Sequence, residues 1–236
     1  MFLNQNNITL NNKQQAGAVR DLELFKMLLQ PHFLFNSLNN LYALSVKKSD
    51  QTSDAIAGLS GMLSKVVDVS RNEYITLSRE TELIEDYLDL ERIWLGDMGY
   101  LLDYKVRGEA DGFMLPPLVL YTFVENCFKH GIRKCSGERW VTIRIDVKDD
   151  KLHFLARNSI SCTTDEKNSS ERSTHSGVGM AAARELLEKK CTNGFELTCG
   201  RRGNLYEVDL MIYRLQNLMP DQEVQIRPNN RSQMAV

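Results

Sequence analysis

Pro116-Pro117-Leu118-Val119-Leu120-Tyr121-Thr122-Phe123-Val124-Glu125-Asn126-Cys127-Phe128-Lys129-His130-Gly131 is the stretch on which the fold turns. Leu118, Tyr121, Val124 and Phe128 fall three and four apart, which makes a helical stripe that needs burying. Glu125, Asn126, Lys129 and His130 gather on the other side, at i, i+1, i+4 and i+5. The surrounding apolar run, 112–124, is too short to span a bilayer and holds two prolines. A helix of about 116–131 is therefore expected to lie on a core and present a polar face.

Downstream, Trp140–Val147, Leu152–Ala156, Phe195–Cys199 and Tyr206–Ile212 alternate like strands. The last two are separated by Gly200-Arg201-Arg202-Gly203-Asn204, which reads as a hairpin turn. A further helix is expected over 178–190. Helices mixed with antiparallel strands give an α+β class, one sheet covered by a helical layer. Upstream, Ser78 is expected to cap a helix over 79–95, with Glu80 and Glu82 in the first turn, where the helix dipole favours anions. Its apolar stripe is Leu83, Tyr87, Leu90 and Trp94.

Further upstream the pattern is all helical. Leu28, Pro31, Phe35, Leu38 and Tyr42 form a stripe on a helix over about 18–45. Polar residues 47–53 make a turn, and a second helix follows over 53–70 with Ile56, Leu59, Leu63 and Val66 on one face. Neither helix can bury its stripe alone, so the hairpin is expected to dimerise into a four-helix bundle. The organisation is then a linker over 1–17, a helical hairpin over 18–72, an α/β sandwich over 73–215 and a flexible tail over 216–236.

Composition narrows the function. The chain has 236 residues, 42% hydrophobic and 25% charged, which is ordinary for a globular protein. With 29 Lys+Arg against 31 Asp+Glu the net charge is −2, and no basic patch supports direct nucleic-acid binding. Neither a signal segment nor a bilayer-spanning run is present in the sequence. Membrane association is expected only through an upstream segment absent from this chain, and the location is expected to be cytoplasmic. Cys127, Cys135, Cys162, Cys191 and Cys199 form no zinc-type spacing and read as free thiols in a reducing compartment.

Four segments carry chemistry. In Gln30-Pro31-His32-Phe33-Leu34-Phe35-Asn36 a proline inside a helix frees the carbonyl of Met27 at about 3 kcal/mol. His32 sits beside it at the edge of the apolar seam, where a neutral imidazole can act as a nucleophile. A partly buried structural histidine fits the same position. Glu125, Asn126, Lys129 and His130 suit a magnesium–triphosphate group, although a solvated face with an ordinary ion pair would look alike. Asn158 ends a strand-like stretch and precedes a polar run, 159–176, long enough to act as a lid. Gly177-Val178-Gly179 before a helix would let backbone amides approach an anion, although taken alone it reads as a turn.

Taken in order, these segments resemble a known family. Pro31-His32-Phe33-Leu34-Phe35-Asn36 resembles the phosphoacceptor box of LytS-type sensor histidine kinases. Val124-Glu125-Asn126 with Lys129-His130-Gly131 resembles the N box of the GHKL ATPase superfamily, and Gly177-Val178-Gly179 resembles its glycine box. Leu77-Ser78-Arg79-Glu80 and Tyr87-Leu88-Asp89-Leu90 look like the family's entry into the ATPase domain. The resemblance covers roughly residues 20–215.

It implies a dimerisation hairpin followed by a GHKL (Bergerat) sandwich that binds ATP, with Mg²⁺ on Asn126. Lys129 and His130 would contact phosphates, Glu125 would orient or polarise at the N box, and Asn158, Gly177 and Gly179 would complete the nucleotide site. The γ-phosphoryl group would pass to His32 as phosphoacceptor, and on to an aspartate of a response regulator, of LytTR type in relatives. The expected assembly is a homodimer. The alternative is a degenerate GHKL pseudokinase acting as a dimeric scaffold. It draws on Asn158, where the family carries aspartate, and on Trp94, Leu186 and Ser64-Lys65, where the family pattern carries arginine, arginine and Arg-Tyr. A GHKL ATPase acting on proteins or DNA would not require the segment around His32.

Overall fold

The computed structural model describes residues 31–161, 178–191 and 194–213. The expected linker over 1–17, the helical stretch before Pro31 with Leu28, and the tail over 216–236 lie outside the described residues. Two helices come first, α1 (Pro31–Val46) and α2 (Thr52–Ser70), joined by a turn in which Lys48 takes a positive φ of 51°. The hairpin expected from the sequence is thus present from Pro31 onward.

The second helix does not bury the stripe read from sequence. Ile56 is 52% exposed and Leu63 only partly buried, while Ala55, Leu59, Met62, Val66 and Val69 are buried. The cause is a partner not anticipated for this face. Helix α2 packs on α3 (Leu77–Leu95), and the bare Cα of Gly58 admits Leu90, whose Cδ2 lies 3.2 Å from where a β-carbon would stand. Ion pairs Lys65–Asp86 (2.7 Å) and Arg79–Asp68 (2.9 Å) flank the contact.

Between the two helices lies β1 (Ile75–Thr76), paired antiparallel with β3 (Met114–Leu115). The cap of α3 is Thr76, not Ser78. Its side chain accepts from the Arg79 amide at 3.4 Å, and the helix starts at Leu77. The Ser78 hydroxyl instead sits 3.1 Å from that of Thr76 and donates to Asp111.

Five strands form the main sheet in the order β2-β4-β5-β7-β6: β2 (Leu101–Arg107), β4 (Trp140–Lys148), β5 (Lys151–Ser159), β6 (Phe195–Arg202) and β7 (Leu205–Tyr213). The pairing of β2 with β4 is parallel and the others are antiparallel. The strands extend beyond the expected ends, and only Gly203-Asn204 remains as the turn between β6 and β7. Gly203 there has φ 64°, which a side chain would strain.

The helices α3, α4 (Val119–Asn126) and α5 (Val178–Lys190) belong to the same domain. Leu83, Tyr87, Phe123, Phe128, Ala183 and Leu187 share one apolar core with the inward residues Val141, Ile143, Ile145, Phe154, Ala156, Val208 and Leu210. The intervening sheet positions are polar and partly satisfied by cross-strand pairs: Arg144 with Asp103, His153 with Asp209 (2.9 Å), and Glu207 with both Arg157 (2.6 Å) and Arg202 (2.9 Å). The α+β sandwich read from the sequence is the observed architecture.

Helix α4 departs from the regular helix expected over 116–131. It begins at Val119 and gives way at Cys127 to a π-helical turn, Cys127–Ile132. Such wide turns recur at functional sites, and this one carries Lys129 and His130.

Candidate functional site

A cavity of about 170 Å³ opens where the π turn, the end of β5 and the start of α5 meet. Its walls are Asn126, His130, Asn158, Ile160, Met180 and Tyr206. Three sequence segments named above therefore converge. Asn126 and His130 come from the polar face of the quoted stretch, Asn158 from the strand end, and Met180 follows Gly179 in the first turn of α5.

Close backbone approach holds these parts together. A β-carbon on Gly131 would lie 2.0 Å from Asn158 Nδ2 and 2.6 Å from its Cγ, so the amide rests directly on the glycine. Asn158 is buried, and its amide nitrogen donates to the Ser159 carbonyl at 3.0 Å. Strand register brings in Tyr206, which pairs with Asn158 across β5 and β7. The Nδ1 of His130 lies 3.3 Å from Lys134 Nζ.

The four polar residues of the stretch do not all face the cavity. Asn126 and His130 line it, whereas Glu125 and Lys129 are turned a step away. Glu125 is largely buried, and burial raises its pKa. The positive charge of Lys129 opposes that shift, Glu91 adds to it, and Arg133 opposes it. Behind it lies a fixed ion pair: Arg133 Nη2 reaches both carboxylate oxygens of the buried Glu91, at 2.7 and 2.8 Å. Burial works against the charge on Arg133, but the facing carboxylate outweighs it and the guanidinium is held above its ordinary pKa.

Glu80 was expected to serve the dipole of its own helix. It serves that of α4 as well. Its side chain is fully buried, and its two oxygens accept from the amides of Leu118 (2.7 Å) and Tyr121 (3.0 Å). These are orphan donors of a helix start. Leu118 takes a left-handed conformation, φ 69°, which costs a residue with a β-carbon about 1–2 kcal/mol. The Glu80 bond to its amide helps hold that conformation. Burial pushes the Glu80 carboxyl up to about 7, against the lowering effect of the backbone bonds.

His32 lies in α1, but its side chain is outside what the structure describes, as is Gly177. Gly179 is in the first turn of α5. Among the described residues no cluster of three or more His, Cys, Asp or Glu side chains could hold a metal. A magnesium ion would therefore need oxygens from a bound triphosphate beside the amide oxygen of Asn126, a donor type suited to that ion. A larger open groove, about 630 Å³, lies at the opposite end of β4 and β5 among Arg107, Asp146, Lys148, Lys151 and His153. Its charges are mixed and no expected site residue lines it, so the smaller cavity is the better candidate.

Sequence reading missed Ile160, Met180 and Tyr206 as cavity walls. Signals existed for two of them. Met180 directly follows the glycine pair, and Tyr206 begins the alternation Tyr206, Val208, Leu210, Ile212 on the buried face.

Known proteins resemble this chain in sequence and in fold. The family model described as histidine kinase matches residues 20–98. The sensor protein LytS of Staphylococcus haemolyticus is 26% identical over 182 residues, 75% of this chain and 31% of that protein. The sensor histidine kinase YpdA of Escherichia coli is 28% identical over 139 residues, 59% of this chain and 24% of that protein. The chain is similar to LytS-type sensor histidine kinases. It spans about a third of the length of the curated relatives it matches. Among solved structures, the histidine kinase domain of a blue-light activated kinase from Erythrobacter litoralis is 13% identical, covering 85% of this chain and 94% of that chain at a TM-score of 0.44.

One of the positions that departs from the family pattern has visible surroundings. Trp94 stands where an arginine was expected, and the Arg133 guanidinium lies 6.0 Å from the centre of its ring. A guanidinium is thus present at that place, contributed from beyond the π turn. Cys127, Cys135 and Cys191 are buried free thiols and Cys199 an exposed one. Burial pushes the Cys127 thiol up to about 12, which leaves it unreactive. No helix among the described residues is long and apolar enough to cross a membrane.

Proposed function

We propose that this chain is the cytosolic kinase core of a two-component sensor, joined in the whole protein to an upstream membrane segment. It works as a homodimer, takes ATP with Mg²⁺ as substrate, and autophosphorylates on His32. A nitrogen of His32 attacks the γ-phosphorus, the P–N bond forms as the bond to the β-phosphate oxygen breaks, and ADP leaves. The phosphoryl group then passes to an aspartate of a response regulator, of LytTR type. The observation that carries this reading is the convergence of Asn126, His130 and Asn158 on one cavity beside the glycine-led helix.

The residues divide the work. Asn158 meets the base, Asn126 holds the metal, Lys129 and His130 meet phosphate oxygens, and the amides at Gly177 and Gly179 close on the same group. Glu125 orients the N box from behind. The ion that Asn126 would help hold would supply charge neutralisation at the phosphate oxygens. The rest is positioning and charge neutralisation, which is how phosphoryl transfer is generally catalysed. A second reading, a degenerate module serving as a dimeric scaffold, draws on Asn158, whose uncharged amide already donates to Ser159.

The test is incubation with γ-labelled ATP and Mg²⁺, with the wild type beside His32→Ala. The expected result is label on the wild type alone, acid-labile and base-stable as phosphohistidine is. Label on both chains would place the acceptor elsewhere. Label on neither, from folded dimers, would favour the scaffold.

A further inference from the structure

The segment joining the hairpin to the sandwich also grips the far end of the helix that opens on the cavity. Tyr74 donates its hydroxyl to the Lys190 carbonyl at 3.1 Å, at the last residue of α5. Lys190 Nζ returns to Glu73 at 2.5 Å and lies 5.9 Å over the Tyr74 ring. Three contacts thus join two adjacent linker residues to one helix terminus. The carbonyl that Tyr74 takes is one of the orphan acceptors a helix end leaves. The lysine charge sits at the negative end of the helix dipole.

Both ends of this connection are tied in. On the linker side, α2 closes immediately before it. The Arg71 amide donates to Asp68 at 3.3 Å, and the Asn72 side chain donates to the Asp68 carbonyl at 3.0 Å. On the other side, α5 is a helix of 13 residues whose first turn puts Met180 into the cavity wall. Ala183 and Leu187 are fully buried along its length, so it moves as a body with its apolar face. Met180 and Lys190 are about 15 Å apart along the axis at the usual helical rise.

We propose that Glu73, Tyr74 and Lys190 form a clasp through which the helical hairpin sets the position of α5 at the nucleotide cavity. These are positioning residues. They touch no reacting atom, and the proposal rests on the kinase reading only in taking Mg-ATP as the ligand of that cavity. A turn or slide of α2 is passed to Glu73–Tyr74, then to the C-terminus of α5, and so to Gly179 and Met180.

The test is a charge swap in the full chain. Mg-ATP affinity is measured by calorimetry, and amide exchange across 178–190 is measured without nucleotide. Glu73→Lys and Lys190→Glu are each expected to weaken Mg-ATP binding about fivefold, the size of one partly exposed ion pair, and to speed exchange in α5. The double swap Glu73→Lys/Lys190→Glu is expected to recover about half of both losses, the rest being due to the carboxylate at the negative helix end and the lost contact of the ammonium with the Tyr74 ring. A role in stability alone would speed exchange in the single variants and leave their Mg-ATP affinity at the wild-type value, which also overturns the clasp. Unchanged exchange and affinity in the single variants, or a double variant as impaired as the singles combined, overturns the clasp. Exchange that rises in the singles and recovers in the double, with no chain binding Mg-ATP, upholds the mechanical link and removes the kinase reading instead.

Discussion

Glu80 shows how far a single residue can be read in advance. Its place in the first turn of α3 is visible in the sequence. Its attachment to Leu118 and Tyr121, about forty residues away, is a tertiary fact that no local pattern encodes. The consequence is a pH dependence of definite sign. With burial raising its pKa from 4.5 to about 7, the folded chain keeps a proton between those values that the unfolded chain releases. Its contribution is full below pH 4.5 and is lost as pH rises through about 7. Urea unfolding of the wild type and Glu80→Gln across pH 4.5–8 should show the wild type losing roughly 2–3 kcal/mol more than the variant. Parallel pH curves would rule this out. His32, by contrast, was legible as a residue type in a motif, because a proline–histidine pair on a helix is a local signal.

At the scale of elements, the strands β4, β5, β6 and β7 were legible because each alternates with period two. Strand β2 was not anticipated, although Leu102, Tyr104 and Val106 alternate with Asp103, Lys105 and Arg107. Its parallel pairing with β4 depends on a long crossover and is not a local property. The link between α3 and the π turn was not legible either, since Glu91 and Arg133 are distant in sequence. That pair makes a firm prediction. Glu91 is 1% exposed, so Arg133→Ala leaves a buried carboxylate without its cation. The cost should be about 3 kcal/mol in denaturant unfolding, and Glu91→Gln added to it should recover more than half. If the double variant is less stable than Arg133→Ala, the pair is not the source of the loss.

For the whole molecule, the helical hairpin and the sheet with its helices were legible in the sequence, and the packing of one on the other was not. The sequence shows amphipathic helices but not that α2 gives one face to α3. That contact depends on Gly58, a residue that carries no hydrophobic signal. What remains uncovered is a stripe of large apolar side chains: Phe35 (66% exposed), Leu38 (50%), Tyr42 (72%) and Val46 (63%) on α1, with Ile56 on α2. Contiguous exposure of this kind marks an interface, and a second copy of the same hairpin is the partner proposed. Leu38→Glu with Tyr42→Glu should convert the sedimenting species from dimer to monomer at micromolar concentration, with circular dichroism unchanged. A dimer that survives both changes would place the interface elsewhere.

The contact of Gly131 with Asn158 also constrains how such a chain can change by descent. The two positions form one inherited unit, because any β-carbon at 131 would overlap the amide at 158. A lineage can abandon the glycine only after position 158 has become smaller, whereas position 158 can shrink while the glycine stays. Replacement at this pair therefore has a one-way order. A related chain that has lost the glycine should always carry a shortened residue opposite it.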